Sequence, residues 1–133
     1  WTLSAPGSAT PAQTGVYKIT YSAQLANTDN AIHDAVFWLR VNSVDVPNSA
    51  TYFSVPARKS AGVPSYVCGY SEVVTTITAN DEIELYWATD KAATSGGTKG
   101  VYIYAEAAQT SPYARPAIPS AIGSITFVSA PTP

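Results

Sequence analysis

The sequence predicts an all-β domain built from antiparallel strands. Ten prolines and eight glycines are spread along its 133 residues and separate short segments rich in Val, Ile, Thr and Tyr. Several of these segments alternate apolar and polar residues with the period of two that a half-buried strand requires. No segment of useful length shows the 3.6-residue apolar period of a helix. A β-sandwich, a jelly roll and a small barrel all fit this pattern.

The clearest predicted strand covers residues 16–25, where odd-numbered residues are apolar or aromatic and even-numbered residues are mostly polar. Gly15 precedes it, and the polar residues 27–30 end it as a turn or loop. The next predicted strand covers residues 35–42. Trp38 lies on its more polar face, which indicates that a second surface covers that face.

The rest of the chain predicts further strands separated by loops. The predicted strands are residues 49–55, 66–78, 82–88, 101–106 and 122–128. Residues 57–64 and 90–100 are predicted as exposed loops, and residues 107–120, with three prolines, as an extended connection. One domain is expected over residues 15–129, with an N-terminal arm or linker at 1–14 and a tail at 130–133. The inward-facing residues are expected to include Tyr17, Ile19, Tyr21, Leu25, Phe37, Leu39, Val41, Ile83, Leu85, Trp87, Ile103 and Phe127.

Composition argues against several classes of function. Charged residues make up 12% of the chain and the net charge is −2, with the seven basic residues scattered, which argues against nucleic-acid binding. No apolar run approaches the roughly 18 residues of a membrane span, so we expect no membrane insertion. The single cysteine, Cys68, has no intrachain partner and is expected to be a buried, unreactive thiol. Because the chain has no Met and starts with Trp1, we expect a processed product or part of a longer chain.

No set of residues predicts catalysis, a cofactor or a metal site. His33 and Asp34 form the one candidate acid–base pair, but neighbouring residues on a strand point to opposite faces, so His33 is expected to be a solvated loop residue. Glu82 and Glu84 share a strand face, and we interpret them as solvated charges or as the rim of a subunit interface. Residues 27–34 offer oxygen atoms without the spacing of an EF-hand, which favours a polar loop over a calcium site.

The aromatic residues are the most informative candidates for contact with partners. Tyrosine and tryptophan on strands pack in cores, bury area at subunit interfaces, or stack against sugar rings. The low charge content favours the interface, since charge is depleted at interface cores. The candidate contact residues are Trp38, Tyr86, Tyr102, Tyr104, Arg58, Lys59, Lys91 and Lys99.

Several segments are similar, in their order, to a known group of proteins. They are Gly-Val-Tyr-Lys-Ile-Thr-Tyr-Ser-Ala-Gln at 15–24, Phe-Trp-Leu-Arg-Val-Asn at 37–42, Asp-Val-Pro-Asn-Ser-Ala-Thr at 45–51, Asn-Asp-Glu-Ile-Glu-Leu-Tyr-Trp at 80–87 and Arg-Pro-Ala-Ile-Pro-Ser-Ala-Ile at 115–122. This order resembles structural proteins of tailed bacteriophages over about residues 15–128. More distantly, and with Thr126-Phe127-Val128 as the last element, it resembles the jelly rolls of complement globular heads and tumour necrosis factor.

The resemblance implies an antiparallel jelly-roll sandwich of about eight strands that assembles as a homotrimer. It implies a non-enzymatic structural protein on the virion surface, either a tail-fibre or appendage domain for host attachment or a capsid-decoration protein. The implied partners are further copies of the chain and other virion proteins of the capsid or tail, with a host surface glycan as a further candidate. A monomeric carbohydrate-binding module of a secreted protein is the alternative.

Overall fold

The computed structural model describes residues 2–4 and 8–132, with side chains described from residue 8 onward. These residues form ten strands: β1 (Thr2–Ser4), β2 (Ser8–Thr10), β3 (Gly15–Asn27), β4 (His33–Val41), β5 (Val44–Asp45), β6 (Thr51–Val55), β7 (Ser65–Ile77), β8 (Ile83–Thr89), β9 (Val101–Ile103) and β10 (Ala121–Ser129). Within this part of the chain there is no helix long and apolar enough to cross a membrane.

The strands form two antiparallel sheets that pack against each other, which confirms the predicted all-β fold. In the six-stranded sheet the order is β1-β2-β8-β4, and the far edge of β4 pairs with both β5 and β6. In the four-stranded sheet, β3 pairs with β7 along one edge and with β10 and β9 along the other. The jelly-roll order of the strands stays a prediction.

The core lies between the sheets and follows from the alternation of residues along β3. This strand pairs with β7 from Gly15 opposite Ile77 to Asn27 opposite Ser65. Its odd-numbered residues face the other sheet, where Phe37 of β4 is fully buried. The ring of Phe37 lies 5.8 Å from that of Phe53 and 6.1 Å from that of Trp87. Among the described residues, the buried side chains of the core are Tyr17, Ile19, Tyr21, Ala23, Leu25, Ala35, Phe37, Leu39, Val55, Ile77, Ile83 and Val101.

Most of the residues predicted to face inward do so. Seven of the twelve are buried, and four pack half-buried against them at the margin of the core. Phe127, the twelfth residue predicted to face inward, lies opposite the buried Tyr17 but is 42% exposed. It lies on the edge strand β10, where no further strand covers its flank, and its ring contacts Tyr17 edge-on at 5.5 Å. A Cβ on Gly15 would lie 2.3 Å from this ring, so only glycine fits beneath it.

A buried amide ties the end of β3 to its surroundings. Asn27 is fully buried, and its Nδ2 donates hydrogen bonds to the carbonyl oxygens of Ala31 (2.9 Å), Val55 (3.3 Å) and Pro56 (3.0 Å). Its Oδ1 accepts a hydrogen bond from the backbone N–H of Asp29 at 2.8 Å. The side chain therefore fixes the turn after β3 and the chain leaving β6 in one arrangement.

Part of the predicted N-terminal arm joins the six-stranded sheet. Ser8 and Ala9 are buried and pair with Glu84 and Ile83 of β8. The carbonyl of Pro11 accepts a hydrogen bond from the backbone N–H of Asn80 at 2.9 Å. The remaining parts of the predicted arm at residues 1 and 5–7, and residue 133 of the predicted tail, lie outside the described residues.

Truncation of the central aromatic residue tests this account of the core. Phe37→Ala is expected to lower the free energy of unfolding by about 3–5 kcal/mol, because it leaves a cavity where three other aromatic rings converge. Tyr52→Ala, on the neighbouring strand with 76% of the residue exposed, is expected to change it by less than about 0.5 kcal/mol. Urea unfolding followed by fluorescence measures both, and equal losses would contradict the assignment of Phe37 to the core.

Candidate functional site

One end of the sandwich gathers all four basic residues that the sequence marked as candidates. We call it the loop end: it comprises residues 28–32, 56–64 and 90–100 together with the strand ends that they join. The backbone N–H of Arg58 donates to Asp29 O at 2.8 Å, and that of Thr28 donates to Gly100 O at 3.0 Å, so the three loops are in contact. Arg58, Lys59, Lys91 and Lys99 all lie on these loops.

A cluster of ionised side chains lies within the loop end. His33 begins β4, and its Nε2 is 2.8 Å from Asp29 Oδ2 while its Nδ1 is 3.3 Å from Asp90 Oδ2. Lys91 Nζ lies 2.6 Å from the same Asp29 oxygen. The prediction of a solvated loop histidine is therefore wrong, since 11% of the His33 side chain is exposed. Asp34 points the other way and accepts a hydrogen bond from Ser54 Oγ at 2.6 Å.

The electrostatics of this cluster favour a charged histidine. The hydrogen bond to Asp29 raises the pKa of His33 above its ordinary value. The hydrogen bond from Lys91 has the largest effect on Asp29 and that from His33 the second largest, and together they hold the pKa of Asp29 well below the usual range. The hydrogen bond from His33 also lowers the pKa of Asp90. Each ring nitrogen faces a carboxylate, so the protonated imidazole can donate to Asp29 on one side and to Asp90 on the other. The geometry is that of a structural clamp between loops.

Three tyrosines form a contiguous row on the outer face of the four-stranded sheet beside the loop end. In this tyrosine row, the ring of Tyr66 lies 4.6 Å from that of Tyr104, which lies 6.2 Å from that of Tyr102. Ala26 of β3 pairs with both Tyr66 and Tyr102 and is fully buried beside them. Lys59 Nζ lies 5.7 Å from the centre of the Tyr66 ring. The structure therefore brings Tyr102, Tyr104 and Lys59 together and adds Tyr66 to them.

The middle tyrosine of the row is held in place by the segment that follows it. The Tyr104 hydroxyl donates a hydrogen bond to the carboxylate of Glu106, and this bond raises the pKa of Tyr104. Glu106 in turn forms an ion pair with Arg115 at 2.6 Å. Arg115 also donates to the carbonyl of Ala107 and to Oε1 of Gln109, both at 3.1 Å. The proline-containing connection is thus an ordered support for the ring of Tyr104.

A cleft of about 370 Å³ opens next to Tyr102. The hydroxyls of two of its threonines are used within the structure: Thr28 Oγ1 bonds to Gly100, and Thr94 Oγ1 accepts from the backbone N–H of Thr98. Lys99 and the hydroxyl of Ser95 lie on the exposed rim. Its lining is Thr28, Ala93, Thr94, Ser95, Gly97, Thr98, Lys99 and Tyr102.

The other two aromatic candidates lie on the opposite side of the molecule. Trp38 and Tyr86 are neighbours on the outer face of the six-stranded sheet, with ring centres 6.0 Å apart. Trp38 Nε1 donates to Asp45 at 2.8 Å, and Arg40 Nε donates to the same oxygen at 2.6 Å. The guanidinium of Arg40 lies 4.2 Å from the centre of the Tyr86 ring. These half-buried side chains are covered by residues of their own sheet, so the eight candidates divide into two separate groups.

A second exposed surface was not among the candidates. The outer face of the four-stranded sheet carries three large side chains that are each about 60% exposed: Tyr70, Val74 and Ile122. We call these three residues the assembly face. Tyr70 and Ile122 both pair with Ser22 of β3, so they share that face. The four-residue spacing of Tyr66, Tyr70 and Val74 along one strand is the sequence signal that would have found this surface. Cys68 lies on the same strand and is exposed, in contrast to the expected buried thiol.

The clamp predicts a pH dependence of stability. Because the folded-state pKa of His33 is raised above the value of about 6.5 in the unfolded chain, its stabilising effect is complete below pH 6.5 and is lost as the pH rises through the folded-state value. His33→Gln is expected to lower Tm at pH 5.5, and the difference from the wild type should shrink by pH 9. Differential scanning calorimetry measures both, and a difference that stays constant with pH would contradict a charged His33.

Comparisons with known proteins add no assignment to these surfaces. No protein-family model matches the chain, and a search of curated proteins finds no match to it. Across the described residues, no group of three or more His, Cys, Asp or Glu side chains is arranged to hold a metal ion.

Proposed function

We propose that this chain is a non-enzymatic structural domain of a tailed-phage particle that assembles as a homotrimer through its assembly face. The observation that carries the assembly role is an exposed, nearly uncharged β-face with large side chains on it. Tyr70, Val74 and Ile122 are exposed to 59%, 60% and 60%. The charged residues of the strands on this face, Lys18 and Glu72, neutralise each other at 3.9 Å.

The energetics favour burial of this face against another subunit. Burying one large apolar side chain contributes about 1.5–3 kcal/mol, so three such residues contribute several kcal/mol for each copy that is covered. Thr20, Ser22 and Ser124 lie among them on β3 and β10, beside the Lys18–Glu72 ion pair. Small side chains let a partner approach the sheet closely, and the two opposite charges stay paired with each other when the face is covered.

The virion role rests on the resemblance of residues 15–128 to structural proteins of tailed phages. Two places on the particle fit an exposed β-domain of this kind: a fibre or appendage that contacts the host, and a decoration protein bound to capsomers. Binding of the purified chain to empty capsids supports decoration, whereas failure to bind them favours the appendage.

A monomeric carbohydrate-binding module is the second candidate, and the tyrosine row beside the cleft favours it. Aromatic rings with a few polar groups around a concave site are common in small-molecule binding sites. The two candidates differ in oligomeric state, because the module needs no subunit contact.

Light scattering after size exclusion tests the assembly role. The wild-type chain is expected at about 42 kDa, three times its 14.0 kDa mass. Tyr70→Lys is expected to give the monomer mass, because it places an unpaired charge in the centre of the buried interface. The matched control, Tyr52→Lys, changes a more exposed tyrosine on the other sheet and should leave the trimer intact. A monomeric wild type, or a Tyr70→Lys variant that stays trimeric, would overturn the proposal.

A further inference from the structure

We propose that the loop end binds a carboxylated saccharide, with the tyrosine row as its stacking surface and Lys59 and Lys99 as its anion contacts. This site goes beyond the assembly role and does not depend on it. Four observations support the site: one exposed and two half-buried tyrosine rings in a row, the support of the central ring, the cleft beside the row, and the placement of unpaired positive charge.

The tyrosine row offers the two kinds of surface that a sugar presents. A pyranose ring has an apolar face of C–H groups and a rim of hydroxyls, and tyrosine has an apolar ring with a polar tip. Tyr66 is 45% exposed, and Tyr104 and Tyr102 continue the surface from it towards the cleft. The bond from Tyr104 to Glu106 holds the central ring in place before any ligand arrives, which reduces the entropy lost on binding.

The cleft at the Tyr102 end of the row has the size and polarity for one or two sugar rings. Its volume of about 370 Å³ is near the lower end of the range of about 300–1,000 Å³ for small-molecule sites. The polar residues Ser95, Thr98 and Lys99 are among those that line it. Internal hydrogen bonds of Thr28 and Thr94 shape the loop, so its form does not depend on the ligand.

Charge selects an anionic ligand. In the described part of the chain, four of the seven basic residues form ion pairs with carboxylates: Lys18, Arg40, Lys91 and Arg115. Arg58, Lys59 and Lys99 form no ion pair there, and all three lie at the loop end. Four acidic residues likewise form no ion pair in the described part of the chain. Asp81, Glu82 and Glu84 lie at the opposite end of the sandwich, where β8 begins, and Asp34 lies near the start of β4 on the other sheet, where it accepts a hydrogen bond from Ser54. Among the described residues, the side chains without an ion pair are therefore basic beside the tyrosine row, and the acidic ones lie on the other sheet or at the far end of the sandwich.

The two lysines lie apart from each other, which favours a ligand with single, separate anionic groups over one with clustered phosphate or sulfate. Lys59 lies against Tyr66 at one end of the row, and Lys99 lies in the cleft beside Tyr102 at the other. Each ammonium group is a separate point charge that meets one negative group. An oligosaccharide with a carboxylate on one or more of its sugars, such as a uronic or sialic acid, presents single negative charges beside sugar rings and so fits one lysine at each end of the aromatic row.

The test is a titration of the 15N-labelled chain followed by amide chemical shifts. Two matched probe pairs are used: trigalacturonate with its methyl ester, and 3′-sialyllactose with lactose. At least one acidic probe is expected to shift the amides of the tyrosine row and of residues 93–99 with Kd on the order of 1 mM or tighter. Its uncharged counterpart should bind several-fold more weakly.

Variants assign the effect to the named groups. Lys99→Gln and Lys59→Gln lie on exposed loops and should each weaken binding of the acidic probe several-fold without affecting the uncharged one. Tyr66→Ala should weaken both probes of a pair, because stacking does not depend on charge. Lys18→Gln, which changes a lysine at the other end of the same sheet, should have no effect.

Two outcomes would overturn the proposal. One is the absence of shifts with both acidic probes at about 10 mM, an excess over the expected Kd. The other is binding that the proposed groups do not explain: equal binding of acidic and uncharged probes, or shifts that lie outside both the loop end and the tyrosine row. Repeating the titration on Tyr70→Lys separates this result from the assembly role, since the site lies within one subunit and should bind equally in a monomer.

Discussion

The pairing of β3 on both of its edges is the constraint on which the other features depend. β3 is bonded to β7 over thirteen residues on one side, and to β10 and β9 on the other. A slip of one residue would turn Tyr17 and Tyr21 to solvent and bring Lys18 into the core. The same alternation that builds the core also directs the residues paired with Ser22 and Ala26 outward. Core, assembly face and tyrosine row are therefore consequences of one register.

Asn27 extends this register into the loop end. Its amide is fully buried, and a shifted strand would leave its donors without the three carbonyls that they now reach, at a cost of about 1–3 kcal/mol for an unsatisfied group. Its Oδ1 holds the backbone of Asp29, and Asp29 in turn binds His33 and Lys91. The position of the loop that carries Lys99 is thus linked to the end of the central strand through a short series of polar contacts.

The sequence predicted the parts of the fold that are local. Clear alternation located β3 and the inward residues of β4, such as Phe37 and Leu39, because each depends on a few neighbouring residues. Contacts across strands were not predictable in this way. His33 meets Asp90, which is 57 residues further along the chain, and Tyr66 meets Tyr104 only because β7 and β9 flank the same strand. The strand that carries Cys68 has apolar residues on both faces, so alternation alone did not show which face is buried.

The two proposed surfaces have different requirements, and their positions on one sheet reconcile them. Assembly needs a face that loses its water, whereas a saccharide site must stay open to solvent. The assembly face lies along the middle of the four-stranded sheet, and the tyrosine row lies where β3 ends at the loops. Cyclic symmetry would place three such loop ends at equal distances from the trimer axis. Three sites that each bind with a Kd of about 1 mM would then engage one polysaccharide with many repeats at the same time. The overall affinity of such multivalent binding exceeds the single-site affinity by about 10²–10⁴-fold where the geometry allows simultaneous contact.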